Sequence, residues 1–259
     1  MEKLNIREIE QRLAKENDLH SPFVKMLEKD ERKGVHGLLK KWHNKKDKEA
    51  KAYEKHVQMT CYEKKYRSEG FVHIAGVDEV GRGPLAGPVI AAAVILPPEF
   101  YLPGLDDSKK LSEQKRVEYY EEIIQSAIDY HVGIIDSEEI DKINIYEASK
   151  KAMRTAIAGL KLKPDFLLID AVKLNTPYPE EAIIKGDSKS ISIAAASIIA
   201  KVTRDRLMVD LGREYPVYGF STNMGYGTKE HLSAIQMFGI TSHHRKSFAP
   251  VKDYIGKRK

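Results

Sequence analysis

The rhythm of apolar positions changes near Gly70. Before it, apolar residues recur at helical spacing among many charges. Leu4, Ile6, Ile9 and Leu13 make one such set, and Ser21-Pro22 supplies the cap and first-turn pair of a second helix. Gly34 and Gly37 read as punctuation, and the charged stretch from Lys40 to Arg67 as one long helix. Residues 1–70 are thus predicted to be a helical accessory segment, and residues 71–259 a separate domain. Past Gly70, runs rich in Val, Ile and Ala alternate with amphipathic ones. Strands are predicted at 71–78, 87–96, 130–135, 166–170 and 182–185. Helices are predicted at 112–128, 137–142, 145–160, 191–211 and 228–238, the last stopped by Gly239. The short link between the first two strands predicts an antiparallel pair, and the interleaving predicts an α/β sheet covered by helices.

Composition narrows the classes. The chain has 259 residues, 42% of them hydrophobic, enough for a substantial core. A single cysteine, Cys61, excludes an internal disulfide and fits a reducing compartment. The first twelve residues carry no apolar signal-peptide core, and the apolar runs Val89–Leu96 and Ile191–Ala200 are too short to span a bilayer. A cytoplasmic location and no membrane partner are expected. The net charge of +5 is unevenly placed. Residues 1–70 hold 18 Lys and Arg against 13 Asp and Glu, and the rest hold 25 of each sign. A basic excess on one segment suits a polyanionic partner, although a solvated helical face would look the same.

The candidate chemistry is acidic. Asp78-Glu79 closes an apolar run and is followed at once by Gly81-Arg82-Gly83-Pro84. Adjacent carboxylates at a strand end are costly if buried unpaired, and a hard divalent cation such as Mg²⁺ or Mn²⁺ would relieve that cost. A solvated strand end explains one such pair as well. The pattern recurs, however, in Leu167-Leu168-Ile169-Asp170 and in Ile183-Ile184-Lys185-Gly186-Asp187. Strand ends meet in α/β sheets, so Asp78, Glu79, Asp170 and Asp187 are expected on one site that suits two divalent ions and a phosphodiester. One cysteine leaves no zinc pattern, and His243-His244 is expected at the surface or on a phosphate. The glycine turn fits neither dinucleotide nor P-loop spacing. It is a tight turn between strands or a place where backbone approaches a ligand closely.

Several ordered blocks carry a family resemblance. Asp78-Glu79-Val80-Gly81-Arg82-Gly83-Pro84-Leu85-Ala86-Gly87-Pro88-Val89 resembles the opening signature of bacterial ribonuclease HII. Asp107-Ser108-Lys109-Lys110-Leu111, Leu168-Ile169-Asp170, Lys185-Gly186-Asp187, the run from Ala195 to Asp205, and Gly225-Tyr226-Gly227-Thr228 follow in the family's order. The resemblance covers about Phe71 to Pro250. Arg82 and the helical N-terminus favour this family over its sister, ribonuclease HIII.

The resemblance implies a ribonuclease H-like fold, a five-stranded mixed sheet flanked by helices with a helical C-terminal part. It implies Asp78, Glu79, Asp170 and Asp187 as the catalytic, metal-holding carboxylates, with Mn²⁺ or Mg²⁺ as cofactor. It implies that Gly81, Arg82 and Gly83 read a ribose 2′-hydroxyl, with Tyr226 holding the sugar. Tyr226 as a loop residue capping the sheet edge remains open. Lys109, Lys201 and Arg204 are plausible phosphate contacts or plain surface cations. Ser197 is expected to pack in the core, since no His–acid pair is placed to activate it. The implied activity is hydrolysis of RNA in RNA–DNA hybrids and incision 5′ of ribonucleotides in duplex DNA, leaving 3′-hydroxyl and 5′-phosphate ends. Those nucleic acids are the expected partners of a monomer. A DNA-junction resolvase of the same fold and a non-catalytic hybrid-binding protein are the alternatives.

Overall fold

The computed structural model describes residues 4–105, 108 and 111–256, so Lys109 lies outside the described residues. The chain forms two compact units, Met1–Val57 and Gln58–Lys259.

In the first unit, α1 (Ile6–Lys15) opens with a reciprocal capping box between Asn5 and Glu8. Helix α2 (Pro22–Glu28) is capped by Ser21 Oγ, and α3 (Lys33–Met59) follows. Ile9, Leu13, Val24, Leu27, Val35 and Trp42 meet in a core of their own. The glycines at 34 and 37 lie inside α3 instead of breaking it. At Gly34 a Cβ would stand 3.1 Å from Ile6 Cδ1, so the missing side chain lets α1 come close. The single helix expected over Lys40–Arg67 begins earlier, at Lys33, and is interrupted at Thr60, where α4 (Cys61–Ser68) starts.

Helix α4 packs with the second unit although its composition matches the first. Glu63 Oε1 accepts from Ser190 Oγ at 2.6 Å and from the Ser192 amide at 3.0 Å, and the Tyr66 ring stacks on Phe166 with 3.7 Å between centroids. The compact units therefore divide before the change in sequence texture at Gly70.

The second unit is built on β1 (Ile74–Val80), β2 (Val89–Ile95), β3 (Asp129–Ile135), β4 (Phe166–Asp170) and β5 (Glu180–Ile183). The five strands run in the order β3-β2-β1-β4-β5. Strands β1, β2 and β3 pair antiparallel, while β4 and β5 continue parallel to β1. Alternation divides β2 between two layers. Ile90, Ala92 and Val94 face a core shared with α5 (Glu113–Ser126) and α7 (Ile191–Glu214). Val89, Ala91 and Ala93 face α6 (Ser137–Ala158). Helix α6 bends sharply at Asn144, whose Oδ1 accepts the Tyr146 and Glu147 amides, so the break expected there is a cap within one element. Gly76 lets β1 and α7 touch, because a Cβ would fall 2.1 Å from the Ser192 carbonyl carbon. The short helix α8 (Phe220–Asn223), α9 (Lys229–Phe238) and α10 (Val251–Gly256) complete a helical C-terminal part with its own apolar cluster.

Two strand boundaries differ from expectation. Strand β1 continues to Val80, because Glu79 and Val80 still pair with Ala91 and Ile90. Strand β5 lies two residues earlier than its apolar run: Ile184 is 72% exposed, and Lys185 turns left-handed into a 3-10 turn over Gly186–Ser188.

Candidate active site

Register brings the carboxylates together. Val77 pairs with Ile169, so the next residues, Asp78 and Asp170, leave neighbouring parallel strands side by side. Asp170 pairs with Ile183, and the 3-10 turn after β5 carries Asp187 to the same edge. Asp78, Glu79, Asp170 and Asp187 all line one cavity of 400 Å³, with Gly81, Gly83, Lys201 and Tyr226 among the other wall residues.

The acids differ in their surroundings. Asp78 is buried, and its Oδ1 accepts the Glu79 amide at 2.7 Å. Burial, then the charges of Glu79 and Asp170, hold its carboxyl well above the usual carboxylate range. The Ser197 hydroxyl and the Glu79 amide oppose that rise. Burial also raises Glu79, against the pull of Arg82, whose Nη1 lies 3.2 Å from Glu79 Oε1. The other oxygen, Glu79 Oε2, is buried with no hydrogen-bond partner among the described residues. Asp170 Oδ1 accepts the Gly186 amide at 2.6 Å, which ties β4 to the turn that holds Asp187.

These donors fit a hard divalent cation: all are carboxylate oxygens, one of them orphaned, and the charge they concentrate calls for a cation. They do not form a closed coordination cluster. Among the described residues no three His, Cys, Asp or Glu side chains are gathered tightly enough to hold an ion.

Helix α7 presents Ser197 and Lys201 to this cavity at helical spacing. Ser197, expected as packing, is a site residue the sequence reading missed. Its hydroxyl bonds Asp78 and lies 3.1 Å from Ser108 Oγ. Its spacing with Lys201 along the helix was the available signal. Lys201 pairs with Asp205 at 2.6 Å while lining the cavity. Arg204, expected at a phosphate, is 1% exposed and donates to the carbonyls of Pro88, Ala86 and Met224, so it faces the protein and not a ligand. His244, expected at the surface, is fully buried against His231. Tyr226 is half-exposed at the cavity mouth.

The glycine turn has two kinds of glycine. Gly81 has φ +91°, and a Cβ there would lie 2.3 Å from Arg204 Nε. At Gly83 a Cβ would meet only Tyr226 Cε1, at an ordinary 3.5 Å. The first is required by the protein's own packing, and the second lies within van der Waals reach of the Tyr226 ring at the cavity wall.

The structure is similar to the ribonuclease H2 of Pyrococcus horikoshii OT3, with a TM-score of 0.63 and 26% identity, covering 73% of this chain and 100% of that one. The ribonuclease HII of Archaeoglobus fulgidus, solved in complex with PCNA, aligns with a TM-score of 0.59 and 28% identity over 68% of this chain and 95% of its own. The five-stranded mixed sheet with its flanking helices is that of a ribonuclease H-like hydrolase. Residues 75–251 match the Ribonuclease HII family and residues 5–67 the Ribonuclease HII N-terminal domain. A ribonuclease HII of Bacillus cereus is 56% identical over 257 residues, covering 99% of this chain and 100% of that protein. The chain belongs to the ribonuclease HII family, endonucleases that hydrolyse the RNA of RNA–DNA hybrids. No described helix is long and apolar enough to cross a membrane.

Proposed function

We propose that the cavity at the β1–β4 edge hydrolyses RNA in hybrids and also incises duplex DNA on the 5′ side of a single ribonucleotide, leaving 3′-hydroxyl and 5′-phosphate ends. The observation that carries this reading is four carboxylates lining one cavity together with the glycine turn, one of them with a buried oxygen that has no partner among the described residues. Asp78, Glu79, Asp170 and Asp187 would hold two divalent ions, Mg²⁺ or Mn²⁺. When bound, those ions supply activation of the attacking water and charge stabilisation at the leaving 3′ oxygen.

The chain's own groups do the rest. Ser197 and the Glu79 amide orient Asp78, and Gly186 orients Asp170. Lys201 supplies positive charge at the cavity wall for a backbone phosphate. Backbone of Gly81, Arg82 and Gly83 approaches the ribose beside the scissile phosphate, and Tyr226, which lies next to Gly83 on the same cavity wall, holds the sugar beside it. Hydrogen bonding to a hydroxyl discriminates strongly, because a deoxyribose leaves the site's polar groups unpaired. The basic excess of residues 1–70, the accessory segment, adds affinity for the duplex irrespective of sequence.

The test is cleavage of duplex DNA holding one ribonucleotide, with an all-DNA control and a chelator arm. Cutting 5′ of the ribonucleotide, lost in chelator and absent from the control, is expected. Cutting of long hybrids alone would restrict the activity to hybrids, and cutting of the control would overturn the ribose-reading site.

A further inference from the structure

Two guanidinium groups stand behind the glycine turn, and neither faces the cavity. Arg204 and Arg245 are the largest fully buried side chains, 1% and 0% exposed. Arg245 Nη2 donates to Gly81 O at 2.6 Å and to Gly87 O at 2.9 Å, Nη1 to Arg82 O at 2.9 Å, and Nε to Gly87 O at 3.1 Å. Arg204 Nε donates to Pro88 O at 3.0 Å, Nη2 to Ala86 O at 3.2 Å, and Nη1 to Met224 O at 2.9 Å. Every one of these acceptors is a backbone carbonyl of the turn, its exit, or the loop that leads into Tyr226.

Burying two cations on carbonyls, with the Phe248 ring 5.0 Å from the Arg245 guanidinium besides, is an expensive way to stabilise a fold, since apolar side chains of the same volume often do as well or better. Burial lowers the pKa of Arg204 to about 10 and of Arg245 to about 9, which leaves both charged at neutral pH. What a guanidinium offers instead is geometry: five N–H donors in one rigid plane, able to fix several carbonyls at once. A turn outside the sheet ladder needs such donors. The Arg204 bond to Met224, with the Leu85 amide donating to Gly225 O at 2.8 Å, joins the turn to the Tyr226 loop. The turn and the Tyr226 loop, which meet where Gly83 faces the Tyr226 ring, thus hang on the same pair of cations.

We propose that Arg245 and Arg204 are positioning residues for substrate discrimination: from behind the cavity they fix the turn and the Tyr226 loop in the arrangement that distinguishes a ribose from a deoxyribose. This rests on the ribose-reading site proposed above. Neither arginine touches substrate, and each acts through carbonyls that a lysine could not hold together.

The experiment uses the full chain with Arg245→Lys and, separately, Arg204→Lys. Affinity is measured in chelator for a duplex with one ribonucleotide and for the all-DNA duplex of the same sequence. Single-turnover cleavage of the first is measured with Mg²⁺. In each variant the preference for the ribonucleotide duplex and its cleavage rate should fall by at least about tenfold, with all-DNA affinity within about twofold of wild type, because only the directional contacts are lost. A purely structural role would lower both affinities together or neither, and either result overturns the proposal. If Arg245→Lys does not fold, Arg204→Lys decides alone, and a full preference in that folded variant is equally fatal. A wild-type protein with no preference would sink the ribose-reading site itself, a result separable from these.

Discussion

The Nε2 atoms of His231 and His244 lie 3.0 Å apart, with both rings fully buried. The Thr241 amide donates to His244 Nδ1, so the His244 proton sits on Nε2 and is donated to His231. His231 then carries its own proton on Nδ1 and donates it to Tyr226 O at 2.8 Å. This relay works only with two neutral rings. Burial first, then the neighbouring His231 and His243, push His244 down to about 4, and burial lowers His231 as well. A histidine depressed in the folded state contributes stability above its unfolded pKa, and that stability is lost as pH falls toward the folded value. The melting temperature should therefore drop between about pH 6.5 and pH 4, with His244 alone contributing on the order of 3 kcal/mol. His244→Asn should flatten that part of the profile. An unchanged slope would assign the acid sensitivity to other groups.

The crowded carboxylates make a metal-dependent melt the next expectation. Millimolar Mg²⁺ or Mn²⁺ should raise the melting temperature, because an ion that binds only the folded state stabilises it. Asp78→Asn removes one buried charge from among its neighbours, so it should melt higher than wild type in chelator and respond less to metal. Equal metal shifts in the two proteins would dissociate Asp78 from the ions.

Asp170→Asn tests the chemistry itself. Asparagine keeps the oxygen that accepts the Gly186 amide, so the strand and turn stay joined. Cleavage should fall at least ~10³-fold while binding of the ribonucleotide duplex persists. Near-normal turnover would remove Asp170 from the list of ligands.

The two glycines of the turn should separate folding from function. Gly81→Ala meets Arg204 and a positive φ, and should lower stability by roughly 1–3 kcal/mol in a denaturant titration. Gly83→Val should melt near wild type yet cut poorly, because its added bulk meets the Tyr226 ring and occupies the cavity wall where the sugar would lie. A fully active Gly83→Val would mean that the sugar does not lie against Gly83.

Deletions should divide the accessory segment in two. Removing residues 1–57 should weaken duplex binding at low salt and flatten the slope of log K against log salt, with little change in single-turnover cleavage. Removing residues 1–70 should in addition lower the melting temperature, because Glu63 and Tyr66 are lost from the second unit. A salt slope unaltered by the shorter deletion would mean that the basic excess does not meet the duplex.

Much of this was legible in the chain. The acids announced themselves by ending apolar runs, and the antiparallel start of the sheet followed from a link too short to cross over. What escaped was whatever depends on a partner distant in sequence. Arg204 reads as a surface cation until the turn carbonyls that bury it are seen. Ser197 reads as filler until Asp78 lies beside it. Gly34 looks like a helix stop because composition does not show Ile6 pressing against it. The run at Ile183-Ile184 shows a register limit as well: apolar character suggested a strand reaching Lys185, while pairing with β4 begins at Glu180 and ends at Ile183.

The parallel pairing of β1 with β4 also bears on synthesis. Strands β1 to β3 can zip together as soon as they leave the ribosome, since each neighbours the next in sequence. Asp78 meets Asp170 only after α5 and α6 have been made and the chain has returned to the far side of β1. Such a long loop closes slowly compared with a hairpin. A growing chain halted between the glycine turn and β4 thus contains two of the four acids without their counterparts, and the cavity they line together is among the last features a newly made molecule acquires.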